Sequence, residues 1–395
     1  MADHIPFVYN EDDCVVLGRL YPDSVAIRLP LETLDRTSPL LPAGPQRWLD
    51  PGVDGLEKWP RWVKLSDSYK AHMERFVGFD RIGNPEFQKK PDKQVVNTFA
   101  TAVLQESVRR FQPNWLSVPQ LPMVNDSGRN KINQLLAAAT REWKLRIAYG
   151  GKLILPVIFT HQKQINLKTQ RNKRIEQIQK CYQLASADGV WSVDSSLSEL
   201  EGSQTLERTR FEGLINFHKE LAEVLPRDNI SIGGPYWGMN LLLWARNLVK
   251  HPAIGLGSSF QYHLPGGKLM RANVRLALPP LRRTAVASVQ LESWLKVSLK
   301  RLSEGDEAYK QLSEISNNFQ RLSRDIRSGR EQVAAFYKRW FDSLAAVRPE
   351  GRALALYQDL SSAFVSGKSL TELPRSEGTA RRPERVARQL MLHCL

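Results

Sequence analysis

The stretch NISIGGPYWGMNLLLWARNLVKHPAIGLGSSFQYHLPGG, residues 229–267, decides the fold class. It predicts a short apolar strand at 230–232, a Gly-Gly-Pro turn, a helix over roughly 238–249 and a second strand at 253–256. A strand, helix and strand in this order form a βαβ unit. Such a unit makes its two strands parallel, and the loops that leave the strands open on one rim.

The loops of this stretch combine residue types that suit a flat ligand. Glycines let a backbone approach the ligand, aromatic rings stack on it, and polar side chains hydrogen-bond its edge. A nucleobase fits this combination better than a sugar or a lipid, although the two rings after the Gly-Gly-Pro turn are also compatible with a place in the core. The residues are Gly233, Gly234, Tyr236, Trp237, Gln261, Tyr262 and His263.

The same alternation continues over most of the preceding chain, where apolar strands of four to seven residues alternate with long amphipathic helices. No Gly-x-Gly-x-x-Gly follows the first strand, which argues against a dinucleotide-binding sheet. We therefore predict an α/β fold, a TIM-like (β/α)8 barrel over residues 1–283 with seven or eight strands. The strands predicted before this stretch are at 14–20, 25–29, 47–50, 62–65, 115–118, 153–159 and 190–193.

The composition changes after Pro279 and Pro280. Residues 284–365 have apolar residues at helical spacing and predict a C-terminal helical extension that packs on the barrel or on a partner protein. Residues 366–395 contain five arginines among Ser, Gly and Pro. They predict a basic, loosely ordered tail, either a polyanion-binding arm or a solvated segment.

The overall charge favours an anionic partner. The chain of 395 residues has 56 basic and 41 acidic residues, a formal net charge of +15. Nucleic acid, as tRNA or DNA, is the natural candidate, and a basic but merely soluble protein is the alternative. No run is long and apolar enough for a membrane span, and the first residues lack the features of a signal peptide, so we expect a cytoplasmic protein.

Metal and cofactor signals are missing from the sequence. The three cysteines, Cys14, Cys181 and Cys394, lie far apart. The histidines His161, His218 and His251 also lack the spacing of a metal site. We therefore predict neither a metal nor a cofactor.

Carboxylates at strand ends are the expected acids, bases and nucleophiles of a barrel enzyme. Four qualify: Asp50, Asp54, Asp67 and Asp194. For Asp50 and Asp54, which flank a Pro-Gly turn, stabilisation of that turn is an equal alternative. For Asp194, an N-cap of the following helix is the alternative.

A basic run follows the proposed pocket, and no acidic residue occurs from Gln261 to Arg283. Phosphate contact is the functional interpretation, and a solvated face is the alternative. The run consists of Lys268, Arg271, Arg275, Arg282 and Arg283.

The order of strand ends resembles that of the tRNA-guanine transglycosylase superfamily, (β/α)8 barrels that exchange a guanine in nucleic acid for a 7-deazaguanine base. Leu49-Asp50-Pro51-Gly52 is similar to the loop that carries the family's general acid/base Asp, and Leu65-Ser66-Asp67-Ser68 is a second match. Gln120 stands where the family has a base-binding Asp, and Thr160 ends the strand that carries a base-binding Gln. Residues 232–235 resemble the family's Gly-Thr-Pro segment.

The resemblance ends at the nucleophile. The sequence has no carboxylate from Asn229 to Arg283, where the family's nucleophilic Asp would fall, and it lacks the zinc ligands that follow. The resemblance therefore implies Asp50 or Asp67 as acid/base and Asp194 as replacement nucleophile.

Divergent members of the superfamily occur in DNA-modification and antiviral-defence gene clusters, which suits a barrel without the zinc site. The expected activity is binding or exchange of a guanine or 7-deazaguanine base in a nucleic acid or conjugate, a pentosyltransferase reaction. One alternative is a catalytically reduced relative that recognises a base or a partner protein through its C-terminal helices. A third interpretation is a barrel unrelated to bases, in which Tyr236 and Trp237 would be buried and no flat ligand would bind.

Overall fold

A closed barrel of eight parallel strands forms the centre of the molecule in this computed structural model, which describes residues 3–161, 163–197, 204–256, 262–266 and 274–395. Each strand pairs with the next in sequence, and β8 pairs with β1 to close the barrel. The predicted TIM-like barrel is confirmed. The strands are β1 (Ile5–Phe7), β2 (Ala26–Pro30), β3 (Gln46–Asp50), β4 (Trp115–Ser117), β5 (Lys152–Phe159), β6 (Gly189–Asp194), β7 (Ile230–Gly233) and β8 (His251–Gly255).

Helices surround the barrel and form the C-terminal part. The α-helices are α1 (Glu11–Leu20), α2 (Leu34–Thr37), α3 (Asp67–Met73), α4 (Phe79–Ile82), α5 (Pro85–Lys89), α6 (Lys93–Phe111), α7 (Ser127–Arg146), α8 (Lys163–Asn166), α9 (Lys168–Ala185), α10 (Gln204–Val224), α11 (Gly238–Ala245), α12 (Val289–Leu299), α13 (Glu307–Asn317), α14 (Phe319–Arg324), α15 (Ile326–Ala345), α16 (Arg352–Lys368) and α17 (Arg385–Met391). The 3-10 segments are Leu31–Thr33, Ser38–Leu40, Val53–Lys64, Pro279–Leu281, Pro349–Gly351 and Arg375–Ala380. Among the described residues, no helix is both long and apolar enough to cross a membrane.

Two predicted strands are wrong. Residues 14–20 belong to α1, because the Asn10 side chain caps the helix by accepting from the backbone N–H of Asp13 and three acidic residues occupy the first turn. Residues 62–64 belong to the 3-10 segment Val53–Lys64, which kinks at Arg61, and residue 65 ends this segment. The true first strand is β1, which is only three residues long and includes Pro6.

Large rings fill the barrel interior. The Trp48 ring lies edge-on to Phe7 and Trp191, with centroids 5.4 and 5.5 Å away. Trp48 Nε1 donates to Ser117 Oγ at 2.9 Å, so its polar atom is satisfied inside the core. The interior of the barrel is therefore a packed core. In barrel enzymes the catalytic groups lie at the carboxyl ends of the strands.

The C-terminal part begins with an antiparallel hairpin of β9 (Arg275–Leu278) and β10 (Arg283–Val286). Its helices pack around a second apolar cluster that includes Leu281, Leu295 and Leu312. Helix α15 joins this part to the barrel, since Tyr21 Oη donates to the Ala334 carbonyl at 3.0 Å. The predicted helical extension is confirmed.

The tail differs from the prediction. In α17 the side chains of Val386, Ala387 and Leu390 are buried, and Arg246 Nη1 donates to the His393 carbonyl at 2.7 Å. The apolar residues of this segment pack against the rest of the protein, which the high arginine content of the segment did not indicate. The expectation of a loosely ordered arm is therefore wrong.

Candidate active site

A buried ion pair lies at the carboxyl ends of β2 and β3. Arg28 Nε donates to Asp50 Oδ2 at 2.9 Å, and Nη2 also contacts this oxygen. Strand register places Arg28 beside Trp48, so Arg28 and Asp50 extend from the same face of neighbouring strands. The backbone N–H of Gly52 donates to Asp50 Oδ1 at 3.1 Å, which shows the turn-stabilising role that the sequence left open.

Three aromatic rings surround the guanidinium of Arg28. Its central carbon lies 4.9 Å from the Phe7 centroid, 5.1 Å from Trp191 and 5.4 Å from Tyr262. Burial disfavours its charge, but Asp50, Tyr262 and Tyr9 together outweigh this effect and raise the pKa of Arg28 above its usual value. A stable, ring-enclosed cation therefore sits beside the barrel axis.

Asp54 is the second buried carboxyl group of this region. It lies just past the left-handed turn at Gly52 (φ 70°), and Tyr262 Oη donates to its Oδ2 at 2.6 Å. Burial first, and then the charge of Asp50, raises the pKa of Asp54 to about 7, against opposing effects of Tyr262 and Arg28. A carboxyl group with this pKa exchanges a proton at neutral pH, as a general acid or base must.

The mouth site is defined here as Tyr9, Arg28, Asp50, Asp54 and Tyr262. Sequence reasoning selected Asp50, weighed Asp54 without choosing it, and named Tyr262 only as an edge contact. It missed Tyr9 and Arg28. A single arginine inside the apolar strand 25–29 was the available signal, because a lone charge in a buried strand needs a partner.

Asp67 does not join this group. It begins α3, its side chain is 98% exposed, and it pairs with Lys70 at 3.2 Å. The same helix contributes to the site in another way, since Tyr69 Oη donates to the Gly52 carbonyl at 2.9 Å and fixes the turn between Asp50 and Asp54. The catalytic assignment of Asp67 is therefore unsupported by its position.

Asp194 ends β6 and is buried. Its Oδ1 accepts from the Ser196 backbone N–H at 2.9 Å and from Ser196 Oγ at 2.6 Å, while Arg210 Nη2 lies 4.0 Å from Oδ2. Burial raises the pKa of Asp194, and Ser196 and Arg210 oppose the rise. These contacts fix the Asp194 carboxyl group. It lies at the same end of the barrel as Asp50, three strands away in the sheet order.

The two rings after the Gly-Gly-Pro turn are buried, so the expectation that they stack on a ligand at an open rim is wrong. Tyr236 and Trp237 are each 3% exposed. Tyr236 Oη accepts from the Asp194 backbone N–H. Trp237 stacks on Phe336 at 6.0 Å, and its Nε1 donates to the Arg282 carbonyl at 2.7 Å. Helix α15 covers this loop, which the barrel sequence alone does not indicate.

The two glycines of this turn have packing roles. A Cβ at Gly234 (φ 95°) would lie 2.8 Å from the Tyr236 nitrogen, and one at Gly233 would lie 2.9 Å from Val249. The Gly234 carbonyl accepts from Trp191 Nε1 at 2.7 Å. Both glycines therefore fit the turn from β7 to α11 tightly.

The remaining predicted base-binding residues are near strand ends. Gln120 Nε2 donates to the Asn133 carbonyl at 3.0 Å, which ties it to α7, and its buried Oε1 has no partner among the described residues. The Thr160 backbone N–H donates to Gln164 Oε1 at 3.2 Å. Gln261 lies outside the described residues, as do Lys268 and Arg271 of the basic run.

The other three arginines of that run form ion pairs with the C-terminal part, and Arg283 is the buried one among them. Arg275 and Arg283 both pair with Glu377, and Arg282 pairs with Asp359. Arg283 is 0% exposed, and burial lowers its pKa to about 10 against the effect of Glu377. Because these carboxylates pair with all three arginines, phosphate contact by the three stays a prediction that their positions do not support.

Within the described part of the chain, no group of three or more His, Cys, Asp or Glu side chains is arranged to hold a metal ion. No protein-family model matches the chain, and no curated protein matches it in sequence. The barrel and the chemistry of the mouth site are therefore the basis for assigning a function.

Proposed function

We propose that this protein is an enzyme that uses general acid–base catalysis at the barrel mouth on a purine or 7-deazapurine base attached to a sugar. One observation carries the proposal. Asp54, with a pKa of about 7, is held by Tyr262 beside the Arg28–Asp50 ion pair at the end of β3. This position is where barrel enzymes keep catalytic groups.

The chemistry follows from the two states of Asp54. In its protonated state it gives a proton to the base as the glycosidic bond breaks, and the base leaves neutral. In its ionised state it takes a proton from the incoming base or from water, which restores the starting state. The Asp50–Arg28 pair keeps the region polar and fixed, which favours charge separation without solvent rearrangement.

A sugar cation forms as the base leaves, and a second carboxylate would stabilise it or attack it. Because the sequence has no carboxylate from Asn229 to Arg283, we assign this role to Asp194 at the end of β6. Burial raises the pKa of Asp194, and the bonds from Ser196 and the nearby charge of Arg210 counteract part of this rise.

Two features of the sequence further support a base attached to a nucleic acid as the substrate. The order of strand ends resembles the transglycosylase superfamily, and the charge of +15 favours tRNA or DNA as the carrier of the base. A role in DNA modification or antiviral defence belongs to the same proposal.

A second function has its own observation. A cavity of about 560 Å³ lies between α13 and α15, with Phe336 and Trp340 in its lining and Glu314, Arg321 and Arg339 among its charged residues. A groove of this size in the C-terminal part suits a protein partner. A catalytically reduced relative would use it while the barrel only recognises the base.

The test is Asp54→Asn against Asp67→Asn, which changes an exposed carboxylate a short distance along the chain. Exchange of labelled guanine or 7-deazaguanine into tRNA and duplex DNA would be measured for both. We expect about a 100-fold or greater loss for Asp54→Asn and wild-type rates for Asp67→Asn. Full activity of Asp54→Asn would overturn the enzymatic proposal, and base binding without any exchange by the wild type would favour the second function.

A further inference from the structure

A cavity of about 200 Å³ lies at the amino-terminal end of the barrel strands, between the barrel and α10. Its lining includes Asn229, which precedes β7, and Lys250, which precedes β8, together with residues at the C-terminal end of α10. We call it the rear cavity. The mouth site lies at the carboxyl ends of the strands, so a ligand in the rear cavity would bind apart from it.

Most of the enclosed wall of the rear cavity is apolar. Leu221 and Leu225 contribute from the side of α10, Ile232 from β7 and Val249 from the segment before β8, and all four are at most 8% exposed. Apolar protein cavities of about 150 Å³ hold a benzene ring. The rear cavity therefore admits one ring with small substituents.

A buried pair of polar side chains, Ser192 and His218, belongs to the same wall. Ser192 Oγ donates to the Ile232 carbonyl at 3.4 Å and lies 3.4 Å from His218 Nε2, so it accepts from this nitrogen. Burial lowers the pKa of His218 to about 3, which keeps the imidazole neutral. Its Nδ1 is then an acceptor without a partner among the described residues. A ligand that contacts His218 must supply a hydrogen-bond donor.

The entrance of the rear cavity is positively charged. Arg227 and Lys250 are exposed there, and none of the described residues that line the cavity is acidic. Lys250 Nζ donates to the carbonyls of Arg227 and Asn229 at 2.8 and 2.6 Å, which holds its charge at the entrance. The outer end of a ligand at this place is therefore expected to be anionic.

We propose that the rear cavity binds a small aromatic carboxylate with a hydroxyl or N–H group at the opposite end of its ring. The ring lies against the apolar wall, and the donor bonds His218 Nδ1. The carboxylate lies at the entrance, near Arg227 and Lys250. A rigid ring holds the two polar ends apart with few bond rotations to fix on binding. This site goes beyond the proposed function, because its ligand takes no part in base exchange.

The test uses 4-hydroxybenzoate as the probe and two analogues, benzoate without the hydroxyl group and 4-hydroxybenzamide without the charge. Titration calorimetry on the wild type would measure all three affinities. We expect 4-hydroxybenzoate to bind and each analogue to bind about tenfold more weakly, because each lacks one polar contact. No binding of 4-hydroxybenzoate, or equal affinity for the three compounds, would overturn the proposal.

Two matched variants locate the ligand. Arg227 and Lys219 are both exposed, on or next to α10, but only Arg227 lines the cavity. We expect Arg227→Gln to weaken binding of 4-hydroxybenzoate about threefold and Lys219→Gln to bind as the wild type does. If both variants keep the wild-type affinity, the ligand binds elsewhere and the proposal is overturned.

His218→Phe tests the contact with the donor. It keeps an aromatic ring at this position and removes Nδ1, so we expect it to bind benzoate and 4-hydroxybenzoate equally. The melting temperature shows whether the variant is folded, and if it is not, the two compounds on the wild type decide the same question. A folded variant that still prefers 4-hydroxybenzoate would contradict the assigned contact.

Discussion

Two buried arginine–carboxylate pairs occupy opposite parts of this molecule, and their surroundings differ. Arg283 in β10 is fully bonded: Nη1 donates to the Ala380 and Arg382 carbonyls at 2.7 and 3.1 Å, and Nη2 donates to Glu377. Arg28 in β2 has one buried nitrogen, Nη1, without a hydrogen-bond partner among the described residues. Both are equally inaccessible, so burial alone does not distinguish them.

The carboxyl partners differ in the same way. Glu377 accepts from Arg275, Arg283 and the Val286 backbone N–H, which uses both of its oxygens within the protein. Asp50 has a second carboxyl group, Asp54, as a neighbour, and burial, followed by the charge of Asp50, raises the pKa of Asp54. The saturated pair holds two segments together, whereas the pair at the mouth site keeps an unpartnered donor beside a carboxyl group of raised pKa, which is the arrangement that our proposed function uses.

The largest expected effect breaks the saturated pair. Glu377→Ala leaves Arg283 charged and buried without a counter-ion, so we expect it to lower the free energy of unfolding by about 3–5 kcal/mol. Urea denaturation of the variant measures this loss. Glu372→Ala is the control, since Glu372 pairs with Arg381 on the surface and should cost under about 1 kcal/mol. Equal losses for the two variants would contradict the distinction.

The next effect concerns pH at the unsaturated pair. The folded-state pKa of Asp54 is raised to about 7, so the folded protein holds this proton more tightly than the unfolded chain does. Its contribution to stability is therefore complete below about pH 4 and is lost as the pH rises to about 7, by roughly 2–4 kcal/mol. Urea denaturation of the wild type and Asp54→Asn at pH 5 and 7.5 measures the difference.

Asp54→Asn should remove this part of the pH dependence and exceed the wild type in stability at pH 7.5. Asp13, whose pKa burial raises to about 6, contributes equally to both proteins. Parallel stability profiles for wild type and variant would show that Asp54 ionises normally in the folded protein.

A smaller effect tests the turn between the two carboxyl groups. Tyr69→Phe removes the hydrogen bond to the Gly52 carbonyl and leaves a buried acceptor unpaired, which we expect to cost about 1 kcal/mol. Exchange activity should fall as well, because the turn positions Asp54. Denaturation and exchange rates would be measured on the same sample, and a stability loss with full activity would make the bond purely structural.

The smallest effect is at Asp67. Asp67→Asn changes an exposed carboxylate whose only described ion pair is with Lys70, so we expect an unchanged denaturation midpoint. A clear loss of stability or activity in this variant would contradict the placement of Asp67 outside the active site.

Sequence periodicity was sufficient for the barrel but not for its first strand. Long helices such as α6 and α10 and the apolar strand β5 have lengths and spacings that identify them without tertiary information. Strand β1 has three residues, and only its pairing with β2 and β8 makes it a strand. Residues 14–20 contain the β-branched pair Val15 and Val16, yet the Asn10 cap decides for the helix.

The site was predictable to the extent that strand ends are predictable. Asp50, Asp54 and Asp194 were identifiable because parallel strands carry their functional groups at their carboxyl ends. The partners of Arg28 and Arg283 could not be identified from the sequence, because Tyr262 and Glu377 come from distant parts of the chain. The burial of Tyr236 and Trp237 depends on α15, whose docking place no local pattern specifies.

The seam between β1 and β8 has a consequence for folding during synthesis. Ile5 pairs with Ala253 and Phe7 with Gly255, so the barrel closes only after its last strand, β8, has been synthesised and can pair with its first strand, β1. Because β1 also pairs with β2, the open edges until then are β1 and the last strand formed, and unpaired edges of this kind promote aggregation. The yield of folded protein should therefore depend on how fast the second half of the barrel is translated, which makes codon choice between β5 and β8 a practical control over its production.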